Sequence, residues 1–246
     1  MTYQLRSDNR DWRDFAYTPT GAQISETVDL RKYASPVEEQ GHLGSCVANA
    51  VVGAYELLLN KEYPAQFINL SRLFIYYNAR LLENNVNDDV GIYVRDGIKS
   101  VKTYGVCNEI LWPYNIDDFA KRPSSEAYDD AMHRNIKNYY RLVGIHDILD
   151  ALNSGKPVIF GMKVYNVFDK LQEYGCVLSS PSKDEEPIGG HAMCLVGYDL
   201  QNKLVLARNS FGEHWCIHGY CWITFDYIET ETLDSWIFDI DLIKEN

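Results

Sequence analysis

The stretch Gln40-Gly41-His42-Leu43-Gly44-Ser45-Cys46 sets a cysteine directly behind a tight Gly-Ser turn. The cysteine heads an apolar run with helical spacing: Val47, Ala48, Val51, Val52, Tyr55, Leu58 and Leu59. A thiol at a helix N-terminus sits at the positive end of the helix dipole, which favours thiolate, the nucleophilic form. Gln40 can bring its side-chain amide beside the same sulfur, where an oxyanion would form during attack on a carbonyl. The segment points to acyl chemistry.

Around it lies a chain of 246 residues with a formal net charge of -12, 18 Tyr and 5 Trp. That length allows one large domain or two small ones sharing a cleft. The acidity argues against nucleic acid as a partner, because phosphate binding needs a basic face, and no polybasic patch points to a membrane surface. No apolar stretch approaches the roughly 18 residues of a membrane span. The segment Met1 to Asp8 is polar and lacks the apolar core of a signal peptide. The six cysteines, at 46, 107, 176, 194, 216 and 221, form no CxxC pair. All but Cys46 read as buried thiols, and a cytoplasmic or other reducing compartment is favoured.

Residues 1–28 are polar, hold Pro19 and Gly21, and read as an extended lead-in. Ser45 is a candidate N-cap for the helix that starts at Cys46, and Ser71 caps a second helix through Phe74, Tyr77 and Leu81. A third helix is expected over Tyr93 to Tyr104, ended by Gly105. The segment Ile116 to Ser125 reads as a crossover. Beyond it come one short helix, Asp147 to Asn153, and strand-like runs at Pro157–Val164, Gly175–Leu178, Ala192–Tyr198, Lys203–Arg208 and Gly219–Phe225. Asp199-Leu200-Gln201-Asn202 reads as a hairpin turn. The expectation is an α+β fold, helical from 29 to 120 and β-rich from 121 to 246, with a cleft between the halves.

The β-rich half supplies partners for the thiol. His191, behind Gly189-Gly190, opens a strand from a loop and can face a cleft. Asn209, in Asn209-Ser210-Phe211-Gly212, can accept an imidazole N–H and so fix tautomer and ring orientation. Phe211 and Trp215 can shield that bond from water.

These motifs resemble those of papain-like cysteine peptidases, the family of the cathepsins. Gln40-Gly41-His42-Leu43-Gly44-Ser45-Cys46-Val47 is similar to the family's Q-G-x-C-G-S-C-W segment. Asn209-Ser210-Phe211-Gly212, with Trp215-Cys216 and Gly219-Tyr220, is similar to its N-S-W-G-x-x-W-G-x-x-G-Y segment. Asp29-Leu30-Arg31, Tyr104-Gly105-Val106 and Trp112-Pro113-Tyr114 also look familial. His191 follows Cys46 by 145 positions (191 − 46), inside the family's spacing of roughly 130–150. Asn209 follows by 163 (209 − 46), slightly beyond it.

The resemblance covers residues 29 to 225 and implies a two-lobed papain-like fold, with a helical lobe and an antiparallel β-barrel-like lobe. It implies Cys46 as nucleophile, His191 as its base and later its acid, Asn209 as the group orienting His191, and Gln40 with the Cys46 N–H as oxyanion hole. It implies a thiolate–imidazolium pair. It also implies a substrate cleft lined by Gly44, Ser45, Gly91, Ile92, Gly190, Phe211 and Trp215, with no cofactor or metal. Polypeptide substrates, most of all endopeptidase cleavage through a thioester, follow from it, and a monomer is expected.

Departures from the family pattern matter. Leu43 removes a cysteine that usually forms a disulfide, and Val47 and Phe211 each replace an aromatic residue. Ile92 stands where a second cleft glycine is usual, so its branched side chain is expected to narrow the substrate's approach. The family usually carries a long inhibitory propeptide. Here residues 1–28 are a candidate short cleft-blocking arm, and a separate protein inhibitor is another candidate partner. Two other functions share the motifs: an acyltransferase or deamidase-type effector on the same triad, and a binding scaffold without catalysis. Acyl transfer to added amines would mark the first, and failure of Cys46 to react the second. His214 and His218 flank Cys216 without a second half to a metal site, and read as turn residues. His42 reads either as a cleft neighbour of Gln40 or as a solvent-facing turn residue. Asn87-Asp88-Asp89 and Lys183-Asp184-Glu185-Glu186 read as solvated loops.

Overall fold

In the computed structural model residues 3–9, 11–64 and 67–242 are described. The far ends of the expected lead-in and of the β-rich half lie outside them. Helix α1 (Cys46–Glu62) is buried on every side from Cys46 to Leu57. A helix apolar all round belongs in the middle of a molecule, and α1 packs on α2 (Arg72–Leu82), α3 (Val94–Tyr104) and the sheet. Ser71 Oγ accepts from Phe74 N–H at 3.1 Å, capping α2 as its sequence predicts. Gly105 ends α3 at φ 75, and a Cβ there would lie 1.8 Å from Ala131 O, so only glycine fits. Ser124 caps a further helix, α4 (Ser125–Ala131). This helix is short, and its polar composition gave no helical period to read.

The strands are β1 (Thr27–Asp29), β2 (Arg134–Arg141), β3 (Val158–Val164), β4 (Val177–Leu178), β5 (Gly189–Asp199), β6 (Leu204–Arg208), β7 (Tyr220–Thr224) and β8 (Thr232–Leu242). Helices α5 (Gly144–Asn153) and α6 (Phe225–Glu231) lie between them. The sheet runs β2-β8-β3-β5-β6-β7-β4, with β1 added on β5. Its pairings are antiparallel except β4 on β7. The path is open, with β2 and β4 at its ends, so the barrel-like lobe is a wound sheet rather than a closed one. The long strand β5 is central: it carries His191, pairs with β3 and β6, and packs on α1. Helix and strand meet there at the thiol.

The lead-in is extended, as expected, but it is firmly attached. Ala16 bridges Arg141, Tyr17 Oη donates to Asp150 Oδ2 at 2.5 Å, and Asp14 binds both Arg95 and Arg141 at 3.1 Å.

The expectation for the cysteines needs one correction. Cys107, Cys194 and Cys221 are buried free thiols, but Cys176 and Cys216 form a disulfide. Each sits in a turn with positive φ, 61 and 46, and their Cα atoms are 5.5 Å apart, within bridging range. Their separation of 40 residues is why no short spacing announced them.

Candidate active site

Cys46 is the first residue of α1. Ser45 stands at the N-cap position but makes no side-chain cap. Its hydroxyl is instead bonded to Tyr114 Oη at 2.5 Å. The leading N–H groups of the helix stay free of capping, and those of Cys46 and Val47 lie on the thiol, joined by the N–H of Ala192. The thiol thus meets the strand residue next to His191.

The turn before the helix is tied down from three directions. Gly44 N–H donates to Asp89 Oδ1 at 2.9 Å, and Tyr76 Oη donates to the same oxygen. Tyr114 Oη donates to Gln40 O at 2.9 Å. Gln40 is buried, with Nε2 donating to Leu43 O at 2.9 Å and Oε1 accepting from Ser210 Oγ at 2.5 Å. One Nε2 hydrogen is left over. Asp89 is thus an anchor of the turn before Cys46 rather than a solvated loop residue. Ser210 likewise has a positioning contact that the motif did not announce.

His191 Nε2 lies 2.8 Å from Asn209 Oδ1. An amide carbonyl can only accept, so Nε2 carries the proton and Nδ1 is the free base. His191 is 2 % exposed, closed in by rings. Phe211 lies 5.0 Å from it between centroids, Phe168 5.6 Å and Tyr3 5.8 Å, and Trp215 packs on Phe168 and Phe211. Phe211 and Trp215 shield the pair as expected. Phe168 sits in a short 3-10 segment, Asn166–Tyr174, and carried no signal in the sequence.

Residues 3–8 lie across these groups. Leu5 N–H donates to Gly190 O at 3.0 Å and Gly190 N–H donates to Tyr3 O at 3.3 Å. Tyr3 Oη donates to Asp169. A Cβ on Gly91 would stand 2.9 Å from Gln4 O, and one on Gly190 2.3 Å from Leu5 O. The two glycines are what let an extended chain approach so closely. Gly44 is similarly crowded by the Gln4 side chain.

Ile92 behaves differently from its expectation. It is 1 % exposed, and its Cδ1 points at Gly97 of α3, next to Val47 and Val51. The side chain fills the space between α1 and α3 and does not narrow the cleft. His42, His214 and His218 are exposed. Among the described residues no group of three metal-ligating side chains is present, and no helix is long and apolar enough to cross a membrane.

Burial pushes the Cys46 thiol up to about 11, against the three N–H groups that favour thiolate. Burial also pushes His191 down to about 4, against its bond to Asn209. With Tyr3 to Asp8 in place the surroundings therefore favour a neutral thiol and a neutral imidazole, not the ion pair that the resemblance implies. The cause is the loss of water over both groups.

The model of the papain family cysteine protease matches residues 24–234. An uncharacterised peptidase C1-like protein of Acanthamoeba polyphaga mimivirus is 37% identical over 232 residues, covering 87% of this chain and 74% of its own length. Cysteine proteinase 1 of Entamoeba histolytica is 27% identical over 206 residues, covering 80% of this chain and 63% of its own. Among solved structures, xylellain, a cysteine protease from Xylella fastidiosa, superposes with a TM-score of 0.86 at 34% identity, covering 96% of this chain and 95% of that one. Digestive procathepsin L 3 of Tenebrio molitor shares the fold, with a TM-score of 0.75 at 18% identity, covering 96% of this chain and 76% of that one.

Proposed function

The chain belongs to the papain family of cysteine proteases, and we propose that it hydrolyses peptide bonds as an endopeptidase, through a thioester on Cys46. The observation that carries this is the bond from His191 Nε2 to Asn209, which leaves Nδ1 as a base while Ala192 N–H meets the Cys46 sulfur. Nδ1 takes the thiol proton, and the sulfur attacks the substrate carbonyl carbon. The oxyanion is held by the Cys46 N–H and the spare Nε2 hydrogen of Gln40. His191 then gives its proton to the leaving amine. Water, deprotonated by His191, attacks the thioester and frees the acid. The helical part of the chain thus brings the nucleophile and the β-rich part brings base and orienter, across a cleft. An extended segment, Tyr3 to Asp8, passes along this groove and continues beyond it, which supports internal cleavage of a polypeptide.

The same segment is a short autoinhibitory arm. It covers the triad and strips it of water, which suppresses the reactive ion pair. Leu5→Asp, which places a charge where Leu5 is buried, is expected to free the arm.

The test is labelling of Cys46 by an epoxide inhibitor of papain-like enzymes. Labelling is expected to be slow in the wild type, fast in Leu5→Asp, and absent when His191→Ala is added. No labelling of Leu5→Asp at any pH sinks the catalytic claim. Equal rates in the wild type and Leu5→Asp sink the autoinhibitory one.

A further inference from the structure

The turn before Cys46 rests on a half-buried acid, and that acid is backed by a buried base. Asp89 Oδ1 accepts from Gly44 N–H at 2.9 Å and from Tyr76 Oη. A Cβ built on Gly44 would stand 2.9 Å from the same oxygen, so the glycine is what lets the turn close on the carboxylate. Leu43, next to it, is buried and aliphatic, and no crosslink can tie the turn there.

Behind Tyr76 stands Arg80, one turn further along α2 and fully buried. Its guanidinium lies 4.1 Å from the centroid of the Tyr76 ring. Its Nε donates to Tyr76 O at 3.1 Å, Nη1 to Val86 O at 2.6 Å and to Asp88 O at 3.2 Å, and Nη2 to Phe119 O. Burial works against the Arg80 charge, while Tyr76 and Asp89 sustain it. Arg80 thus fixes the backbone that carries Asp89 and also backs the hydroxyl that Asp89 accepts from.

Asp89 also acts on the nucleophile, which follows Gly44 by two residues. Burial raises the Cys46 thiol most, the N–H groups of Ala192, Val47 and Cys46 work against that, and the Asp89 charge adds to the rise. The burial ends when Tyr3 to Asp8 leave the groove, whereas Asp89 stays. A charge held by fixed donors acts at close range where water is scarce. The charged and titratable groups facing Asp89 and Cys46 are Tyr76 and Arg80 from α2, Tyr114 from the segment after α3, and His191 from β5.

We propose that Asp89, clamped by Tyr76 and Arg80, is a positioning residue for Cys46 with two separable effects: its hydrogen bond seats the turn, and its charge keeps the thiol neutral until His191 takes the proton. This rests on the reading of Cys46 as the nucleophile. The helix N-terminus alone would favour a free thiolate. With Asp89 opposing it, the proton leaves sulfur only as Nδ1 of His191 receives it, so thiolate appears as one half of an ion pair.

Two substitutions in the full-length protein separate the effects. Asp89→Asn keeps the shape and the acceptor and removes the charge, whereas Asp89→Ala removes both. Hydrogen exchange of the Gly44 amide reads the seat of the turn. It is expected to be about tenfold faster in Asp89→Ala, the worth of one hydrogen bond to a charged group. The Cβ chemical shift of Cys46, assigned by its loss in Cys46→Ser, reads thiol ionisation without any need of catalysis. Its titration midpoint is expected to fall by about half a pH unit or more in Asp89→Asn. A merely structural residue would alter the exchange and leave the midpoint where it was. A midpoint unchanged or raised in Asp89→Asn overturns the proposal, as does Gly44 exchange in Asp89→Ala that matches the wild type. A protein that shows both effects and cleaves no peptide keeps the clamp and loses only the peptidase reading.

Discussion

Gln40 is held by its amide at both ends, with Nε2 on Leu43 O and Oε1 under Ser210 Oγ. That fixes the orientation of the amide. Oxyanion donors act on the transition state more than on bound substrate. Gln40→Ala is therefore expected to lower kcat by about 10²–10³ with little change in KM. Ser210→Ala leaves the donor present but free to rotate, and a smaller loss, about tenfold, is expected from one neutral hydrogen bond. Steady-state kinetics on a single peptide substrate decide it: an effect confined to KM would remove Gln40 from the oxyanion site. Cys46, Gln40, His191 and Asn209 were legible because each sits inside a short local motif. Asp89, Ser210 and Phe168 were not. Their partners lie far along the chain, as the separations of 45 for Asp89 with Gly44 and 170 for Ser210 with Gln40 show. Ile92 was misjudged for a related reason: its position in a motif said where its backbone lies, and packing against Gly97 decided where its side chain turns.

Elements with a strong period or a cap were readable, including α1, α2 with Ser71, and α3 with Gly105. Strands β2 and β8 were not. β2 reads Arg-Asn-Ile-Lys-Asn-Tyr-Tyr-Arg with one fully buried position, and β8 interleaves acids with its apolar residues. Each is specified by the other, through antiparallel pairing from Arg134 with Leu242 to Arg141 with Trp236, and by nothing local. The smallest element, β4, is held in the same non-local way. It has two residues, pairs in parallel with β7, and follows Cys176, whose disulfide to Cys216 ties it to the turn bearing Trp215. Breaking that bond with Cys216→Ser is expected to cost about 2–4 kcal/mol of stability. It also loosens the ring cage over His191, because Trp215 packs on Phe168 and Phe211. Denaturant midpoints with and without reductant measure it. A wild-type midpoint insensitive to reduction, with the thiols shown to be free, would mean that the bridge constrains nothing.

The folded molecule as a whole takes up protons at neutral pH. Burial raises Glu56 and Glu109 each to about 7, and it raises Asp234 and Asp8 in the same direction. The ordinary value for the two glutamates is 4.5. The folded state therefore binds more carboxyl protons than the unfolded chain between the two values. This contribution to stability is fully present below the unfolded pKa and is lost as pH rises through about 7. His191 acts oppositely. Its folded value of about 4 lies below 6.5, so its contribution is present above the unfolded pKa and lost as pH falls toward the folded one. Asp29 and Glu231, held below their ordinary values, also lose stability only in more acid solution. The net charge of -12 adds self-repulsion that weakens as pH falls. Across about pH 4.5–6.5 the raised carboxyls outnumber the one depressed histidine, so stability is expected to be greatest near about pH 4.5–5 and to fall as pH rises toward 7. Glu56 offers a direct check, since it is buried between Ser35 Oγ and Leu70 N–H. Glu56→Gln removes one linked proton and is expected to flatten the fall between about pH 5 and 7 by up to roughly 1.4 kcal/mol per pH unit, whatever it does to absolute stability. Thermal or denaturant midpoints across that range give the slope. A wild-type stability that climbs from pH 5 to 8, or a slope untouched by Glu56→Gln, would mean that these carboxyls are already charged in the fold.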